Sequence, residues 1–274
     1  PSGYLDGKDS IGNSGGTLAN DSISSINLVS GSAVTDVNFG ELPPAKLGDR
    51  VWIDANANGK QDALEANAAG VTVELYASVA GLATGSALAS TTTNSYGNYE
   101  FAGLAAGSYI VKFITPTGFL LSAANLGGDD SQDSDAAAAG TTSTYTLTYG
   151  QNDPTVDAGL FKPASITGTV FVDANNNGIL DAGETRLPNV TITLTGTDGA
   201  GNSVTRTVTT APDGTYTFDN LVPGSYTVSE AQPSGYLDGK DSIGNSGGTL
   251  ANDSISSINL VSGSAVTDVN FGEL

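Results

Sequence analysis

Residues 1–42 and residues 233–274 carry the same 42 letters, at an offset of 232, the distance from Pro1 to Pro233. Whatever this chain folds into must therefore accept one segment at both of its ends. Structural constraint alone does not preserve surface and core positions alike. The identity reads as a recently duplicated tandem array with a 232-residue period, and the 274 residues are one period followed by a 42-residue overlap.

An older similarity lies inside the period. Val51-Trp52-Ile53-Asp54-Ala55-Asn56 aligns with Val170-Phe171-Val172-Asp173-Ala174-Asn175. Gly97, Tyr99, Phe101, Leu104, Gly107, Tyr109 and Val111 align with Gly214, Tyr216, Phe218, Leu221, Gly224, Tyr226 and Val228, and Pro116-Thr117-Gly118-Phe119-Leu120 with Pro233-Ser234-Gly235-Tyr236-Leu237. The spacing predicts two related domains, 44–162 and 164–274, each following a Pro-containing joint, Leu42-Pro43-Pro44 or Lys162-Pro163. Residues 1–42 are then the C-terminal part of a preceding copy of the second domain.

Period-2 alternation sets the secondary structure. Val71-Thr72-Val73-Glu74-Leu75 and Val190-Thr191-Ile192-Thr193-Leu194 put apolar residues on one face and Thr or Glu on the other. Tyr99-Glu100-Phe101, Tyr109-Ile110-Val111-Lys112-Phe113, Tyr145-Thr146-Leu147 and Tyr216-Thr217-Phe218 continue the pattern, and Gly-, Asn- and Pro-rich turns separate the runs. No segment carries a helical stripe. The expected fold is all-β: tandem immunoglobulin-like or prealbumin-like antiparallel β-sandwiches.

Composition narrows the chemistry. The chain has no Cys, Met or His, so disulfides, thiol nucleophiles and imidazole ligands or bases are excluded. With 29 acidic against 9 basic residues and a net charge of -20, it offers no continuous basic surface for nucleic acid. No run reaches the ~18 apolar residues of a membrane span. Pro1-Ser2-Gly3-Tyr4 is neither a signal peptide nor a start at Met, which points to a piece of something longer.

One twelve-residue loop occurs twice. Asp54, Asn56, Asn58, Asp62 and Glu65 stand at loop positions 1, 3, 5, 9 and 12, with Gly59 at 6; Asp173, Asn175, Asn177, Asp181 and Glu184 repeat the set around Gly178. A hard cation such as Ca²⁺ needs six to eight oxygens at about 2.3–2.6 Å, and this spacing wraps them around one point. Lys60 and Ile179, at position 7, would contribute backbone carbonyls, so their side chains are free to vary. The same letters also suit an Asn/Asp/Gly turn held by its own side-chain bonds. The flanks are strands, so the helix opening of a calcium sensor is not on offer.

G-x-V-(F/W)-x-D-x-N-x-(D/N)-G…D-x-x-E, followed by T-T-x-x-x-G-x-Y-x-F-x-x-L-x-x-G-x-Y-x-V, resembles the B-like domains of the staphylococcal serine–aspartate repeat adhesins. The resemblance covers both domains, and is weaker after the Pro-x-Gly-(Phe/Tyr)-Leu segment. It implies calcium-rigidified β-sandwiches strung into a stalk on secreted or wall-attached bacterial surface proteins, without enzymatic activity. It also implies that loops such as Asp129-Asp130-Ser131-Gln132-Asp133-Ser134-Asp135 supply further calcium sites, although a solvated acidic loop fits those letters as well. Asp238 and Asp241, repeated as Asp6 and Asp9, hold a comparable place in the second domain, and Asp153 and Asp157 suit either reading. Related collagen-adhesin sandwiches often carry a Lys–Asn isopeptide bond beside a buried acid. Glu230 has the parity to point inward as that acid, but no Lys lies between Pro163 and Lys240, and only Lys46 could serve the first domain.

Trp52 alternates into a strand and matches Phe171, so packing in the core or at a domain junction is expected of it. Asn20-Asp21-Ser22, Asn189-Val190-Thr191 and Asn252-Asp253-Ser254 match a glycosylation sequon, a weak signal in a bacterial chain. Taken together, these features predict a structural repeat of an extracellular bacterial stalk or filament, secreted or attached to the cell surface and stiffened by Ca²⁺. Its expected partners are neighbouring copies of itself. The alternative is an adhesive module that grips a host protein, glycan or surface through its loops.

Overall fold

Thr, Val and aromatic residues at alternate positions give strands with one buried face, and the computed structural model, which describes residues 2–274, contains strands and no helix among those residues. Pro1, the first letter of the repeated segment, lies outside them. The principal strands of the first domain are β1 (Ala45–Ile53), β2 (Thr72–Val79), β3 (Leu82–Thr92), β4 (Asn98–Leu104), β5 (Gly107–Ile114), β6 (Tyr145–Leu147) and β7 (Ala158–Phe161). One sheet has the order β3-β2-β5-β6; the other has β4-β1-β7 continued by Leu120–Leu121. The second domain has β8 (Ala164–Val172), β9 (Thr191–Asp198), β10 (Ser203–Thr209), β11 (Thr215–Leu221), β12 (Gly224–Glu230), β13 (Ser254–Leu260) and β14 (Phe271–Glu273). Its sheets run β10-β9-β12-β13 and, on the other side, β11-β8 with β14 beside β8.

Each domain closes over its own core. Leu47, Val51, Val73, Leu75, Phe101, Val111, Phe113 and Leu160 fill the first; Ile166, Val170, Ile192, Leu194, Phe218, Val228, Ile258 and Phe271 fill the second. The polar tips of buried tyrosines find matching partners in both. Tyr99 and Tyr216 donate to the carbonyls of Val156 and Val269, and Tyr109 and Tyr226 to those of Ala105 and Val222. Trp52 is fully buried beside Gly159, as core packing requires.

One feature departs from an all-antiparallel sandwich. The first and last strands of each domain run parallel, Val51 pairing with Ala158 and Ile53 with Leu160, and Val170 pairing with Phe271 and Val172 with Glu273. Alternation of side chains does not encode strand direction. The consequence is mechanical: the chain enters each domain at one pole and leaves at the other, so the two domains follow end to end. It also means that the loop after the first strand stands at the pole where the chain exits.

Residues 2–42 form only short ladders of their own, pairing Leu5–Asp6 with Glu41–Leu42, Ser10–Ile11 with Val37–Asn38, and Thr17–Ala19 with Ser22–Ser24. Almost nothing in this segment is buried.

Candidate metal centres

The two twelve-residue loops begin where β1 and β8 end. Asp54 and Asp173, both fully buried, are tied to the last strand of their domain by N–H bonds to the carbonyls of Leu160 (2.9 Å) and Glu273 (2.8 Å). From there each loop coils around its own side-chain oxygens. The Asp54 carboxylate accepts from Gly59 N (2.8 Å) and Asn58 N (3.2 Å), and Asp173 accepts from Gly178 N (2.6 Å) and Asn177 N (3.0 Å). Gly59 (φ 75°) and Gly178 (φ 78°) make the bend, and a Cβ at Gly59 would meet the Ala123 carbonyl at 2.4 Å.

The remaining side chains bond to one another and to the loop backbone, as an Asn/Asp/Gly turn held by its own side chains does, and among the described residues neither Asp54, Asp62 and Glu65 nor Asp173, Asp181 and Glu184 gather their carboxylate oxygens into one close group. Asn56 and Asn58 both donate to Asp62 Oδ2 at 2.8 Å, and Asn175 and Asn177 to Asp181 Oδ2 at 2.8 and 2.9 Å. Glu65 reaches back to Ala55 N (2.7 Å) and Asp62 N (3.0 Å); Glu184 does the same to Ala174 N (3.0 Å) and Asp181 N (2.8 Å). Lys60 and Ile179 are exposed and donate their backbone N–H groups to Asn58 and Asn177. The amide N–H₂ groups of these asparagines face Asp62 and Asp181, while their Oδ1 atoms accept backbone N–H groups, Asn56 from Asn58, Asn58 from Lys60, Asn175 from Asn177 and Asn177 from Ile179. The donor set is all oxygen and suits a hard cation.

A second acidic group adjoins the first loop. Gly59 O and Gln61 N bond to Ser134 N and Gln132 O, which lays residues 59–61 against the loop that carries Asp130, Asp133 and Asp135. A carboxylate oxygen from each of those three lies within 4.8 Å of the others. Asp133 and the neighbouring Asp157 each keep one buried oxygen without a hydrogen-bond partner, and Asp157 N donates to Asp135 (2.6 Å). Burial first, then the charges of Asp130 and Asp133, push Asp135 up to about 7; burial and Asp49 push Asp157 up to about 9. Asp129 lies outside this group and closes a turn by accepting from Ser131 and Gln132. Asp153 accepts from the Thr155 hydroxyl (2.8 Å).

The second domain repeats the plan with different letters. Gly178 packs against Lys240 and Asp241, and Asp238, Asp241 and Asp253 form a triad within 4.8 Å. The same triad, Asp6, Asp9 and Asp21, forms in the first copy of the segment. Asp253 also belongs to a deeper group with Glu230 and Glu273. Glu230 is 8 % exposed and Glu273 is fully buried; neither Glu230 oxygen receives a donor, and one Glu273 oxygen is likewise unpartnered. Burial and the facing Glu273 carboxylate raise Glu230, and burial with Asp238 and Asp253 raises Asp241 to about 7. Buried acids without donors favour a proton or a cation between them.

The SdrD B-like domain family matches residues 45–160 and 164–272. The chain belongs to the SdrD B-like domain family. Serine-aspartate repeat-containing protein D of Staphylococcus aureus (strain Newman) is 37% identical over 211 residues, 77% of this chain and 15% of that protein. Serine-aspartate repeat-containing protein F of Staphylococcus epidermidis is 39% identical over 210 residues, 76% of this chain and 11% of that protein. The chain thus spans about 15% or less of the length of these relatives. Among solved structures, the Bacillus anthracis TIE protein aligns with all of this chain and 40% of its own, at 17% identity and a TM-score of 0.37.

Within these two SdrD B-like domains, Lys46, the one lysine expected to suit the isopeptide chemistry of other adhesin sandwiches, does not enter the core. Lys46 is on the surface, paired with Glu100 at 3.1 Å. Glu230 does point inward, as its parity requires, but toward Glu273 and Asp253. Asp21, Asp253 and Glu273 were not among the sequence candidates. Asp253 sits in a hairpin turn at φ 49°, and Glu273 arrives by parallel pairing with β8; neither position lies in a ligand-like spacing.

The first loop of the SdrD B-like pair is also the joint between domains. Ser262 N donates to Ala55 O (2.8 Å), and Ser262 Oγ accepts from Lys162 N (2.8 Å). A side chain at Gly199, on the β9–β10 turn, would bring its Cβ to 1.8 Å from Asn56 O. The Lys162 ammonium lies 5.0 Å above the Phe119 ring on the same side.

Proposed function

We propose that this chain is a structural repeat of an extracellular bacterial surface protein, a segment of stalk or fibre in which Ca²⁺ fixes both the sandwiches and the joint between them. The observation that carries this reading is the contact of residues 55–57 with Gly199 and Ser262. A loop that coils around a cation becomes rigid, and here that loop is the surface on which the next domain rests. Calcium binding only the native state stabilises it by RT ln(1 + [L]/Kd), so the repeat would gain stiffness where calcium is abundant, as outside cells. The residues bound are Asp54, Asn56, Asn58, Asp62 and Glu65 with the Lys60 carbonyl, and Asp173, Asn175, Asn177, Asp181 and Glu184 with the Ile179 carbonyl. The groups Asp130–Asp133–Asp135 and Asp238–Asp241–Asp253 are further candidates, with Asp6–Asp9–Asp21 their repeat. Two Ca²⁺ ions change the formal charge from -20 to -16. The chain itself holds no imidazole or thiol for catalysis, and the reading assigns it a mechanical role.

The test is a distance distribution between the domains. Because the chain has no Cys, spin labels at Ser86→Cys and Thr217→Cys, both exposed positions in separate domains, report one interdomain distance. A narrow distribution in calcium that broadens with EGTA is expected. An unchanged distribution refutes calcium stiffening of the joint.

A further inference from the structure

The two domains share one frame, so their residues compare place by place. Phe113 on β5 corresponds to Glu230 on β12, and their backbone N–H groups donate to Gly140 O (2.8 Å) and to Asp253 O (2.9 Å). Parallel pairing of Ile53 with Leu160 and of Val172 with Glu273 puts Leu160 and Glu273 in a second shared place. Three positions held by Phe113, Gly140 and Leu160 in the first domain are therefore held by Glu230, Asp253 and Glu273 in the second. Phe113 and Leu160 are each 1% exposed and belong to the first core. At the same depth the second domain has carboxylates, all three acquired together.

A carboxylate oxygen from each of the three lies within 4.8 Å of the others. Glu230 is more than nine-tenths buried, and neither of its oxygens has a hydrogen-bond partner. Glu273 Oε1 and Asp253 Oδ1 are likewise unpartnered, and Gln232 donates its amide to the other Glu273 oxygen. Buried acids this close repel one another and lack the water that would solvate them. One shared proton cancels a single charge of the three. A divalent cation cancels two, and oxygens bound to one Ca²⁺ at about 2.3–2.6 Å stand up to roughly 5 Å apart, the span found here. We propose that Glu230, Asp253 and Glu273 bind a Ca²⁺ ion inside the second domain, at a site with no counterpart in the first. The site shares Asp253 with the outer Asp238–Asp241 group but no ligand with the twelve-residue loops, so it stands whether or not those loops bind. Asn252, next to Asp253, lines a cleft with Gly239 and Asp241, which gives the ion a way in. Once bound, the ion joins the end of β12, the turn before β13 and the end of β14. β14 is held to β8 by three residue pairs alone, so the ion anchors the strand with the shortest ladder in that core.

The test counts Ca²⁺ on the full chain by native mass spectrometry, with calorimetry of the second domain alongside. Glu230 and Glu273 belong to no other acidic group, so Glu230→Gln and Glu273→Gln should each remove one ion and reduce the calcium-induced rise of the second-domain Tm, leaving the Trp52 transition of the first domain unchanged. The paired change Glu230→Phe with Glu273→Leu installs the residues that the first domain uses. That variant should fold, bind one ion fewer, and melt higher in EGTA than the unsubstituted chain. The loops and the outer group are removed from the count by Asp54→Asn, Asp173→Asn and Asp238→Asn together; adding Glu230→Gln to that chain should still cost one Ca²⁺. An ion count indifferent to Glu230→Gln in both backgrounds, as a carboxyl pair sharing a proton would give, overturns the proposal, and so does a loss that appears only while Asp238 is intact.

Discussion

Asp54→Asn removes one charge and changes almost no volume, which makes it the cleanest perturbation of the first loop. Asp54 is fully buried, and its two oxygens accept from Gly59 N at 2.8 Å and Asn58 N at 3.2 Å. An amide keeps one acceptor and turns an N–H₂ against the other N–H. Losing one charge-assisted hydrogen bond costs about 2 kcal/mol. At about 4 °C per kcal/mol for a domain of this size, the first-domain Tm in EGTA should fall by about 8 °C. The larger effect is on calcium. At a concentration of about 100 Kd the ion contributes about 2.7 kcal/mol, or about 11 °C, and the variant should lose that increment. Trp52, the sole tryptophan and fully buried in the first domain, makes its fluorescence a reporter of that domain alone. The second domain, with Asp173 intact, should keep its own calcium-induced rise in calorimetry. If the Trp52 transition of the variant gains as much from calcium as the unsubstituted chain does, the loop is not the binding site.

Three more outcomes follow from the same geometry. In EGTA, Asp157 (pKa about 9) and Asp135 (about 7) bind protons more tightly folded than unfolded, so their contribution is complete below about pH 4 and is lost as pH rises through those values. The calcium-free first domain should therefore melt lower at pH 8 than at pH 5, by up to about 1.4 kcal/mol per pH unit per proton, and a flat profile would contradict the burial argument. Gly199→Val should leave both thermal transitions within about 1 kcal/mol of their original stability but separate the domains, read as a broadened interdomain distance in calcium; an unaltered distribution would show that the joint does not rest on Asn56. Phe271→Ala should destabilise the second domain by about 3–5 kcal/mol in chemical denaturation, whereas Phe39→Ala, the same residue in the same sequence, should change little, because only Phe271 is buried.

The internal shape of the loops was legible because it is local: twelve consecutive residues supply the side chains and the bend at glycine. Their anchor is long-range, since Asp54 N bonds to Leu160 O and Asp173 N to Glu273 O. The two cores were legible for a similar reason, since Val73 and Leu75, or Ile192 and Leu194, declare their face by alternation. What the letters did not carry is long-range. Parallel pairing of Ile53 with Leu160 puts the first loop at the exit pole, and nothing in the pattern of either strand fixes its direction. The group of Glu230, Asp253 and Glu273 draws on three separate strands or turns, brought together by the ladders β9–β12, β12–β13 and β8–β14. The contrast between Phe39 and Phe271 is the sharpest lesson: identical sequence, different neighbours, and burial decided by the neighbours.

The most direct test of a calcium-bound repeat is native mass spectrometry of the intact chain, run in millimolar calcium and again after chelation. At least two Ca²⁺ per chain are expected in calcium, none after EGTA, and one fewer in each of Asp54→Asn and Asp173→Asn. A chain that remains metal-free in millimolar calcium, or whose metal count is indifferent to both substitutions, would contradict the assignment of these loops.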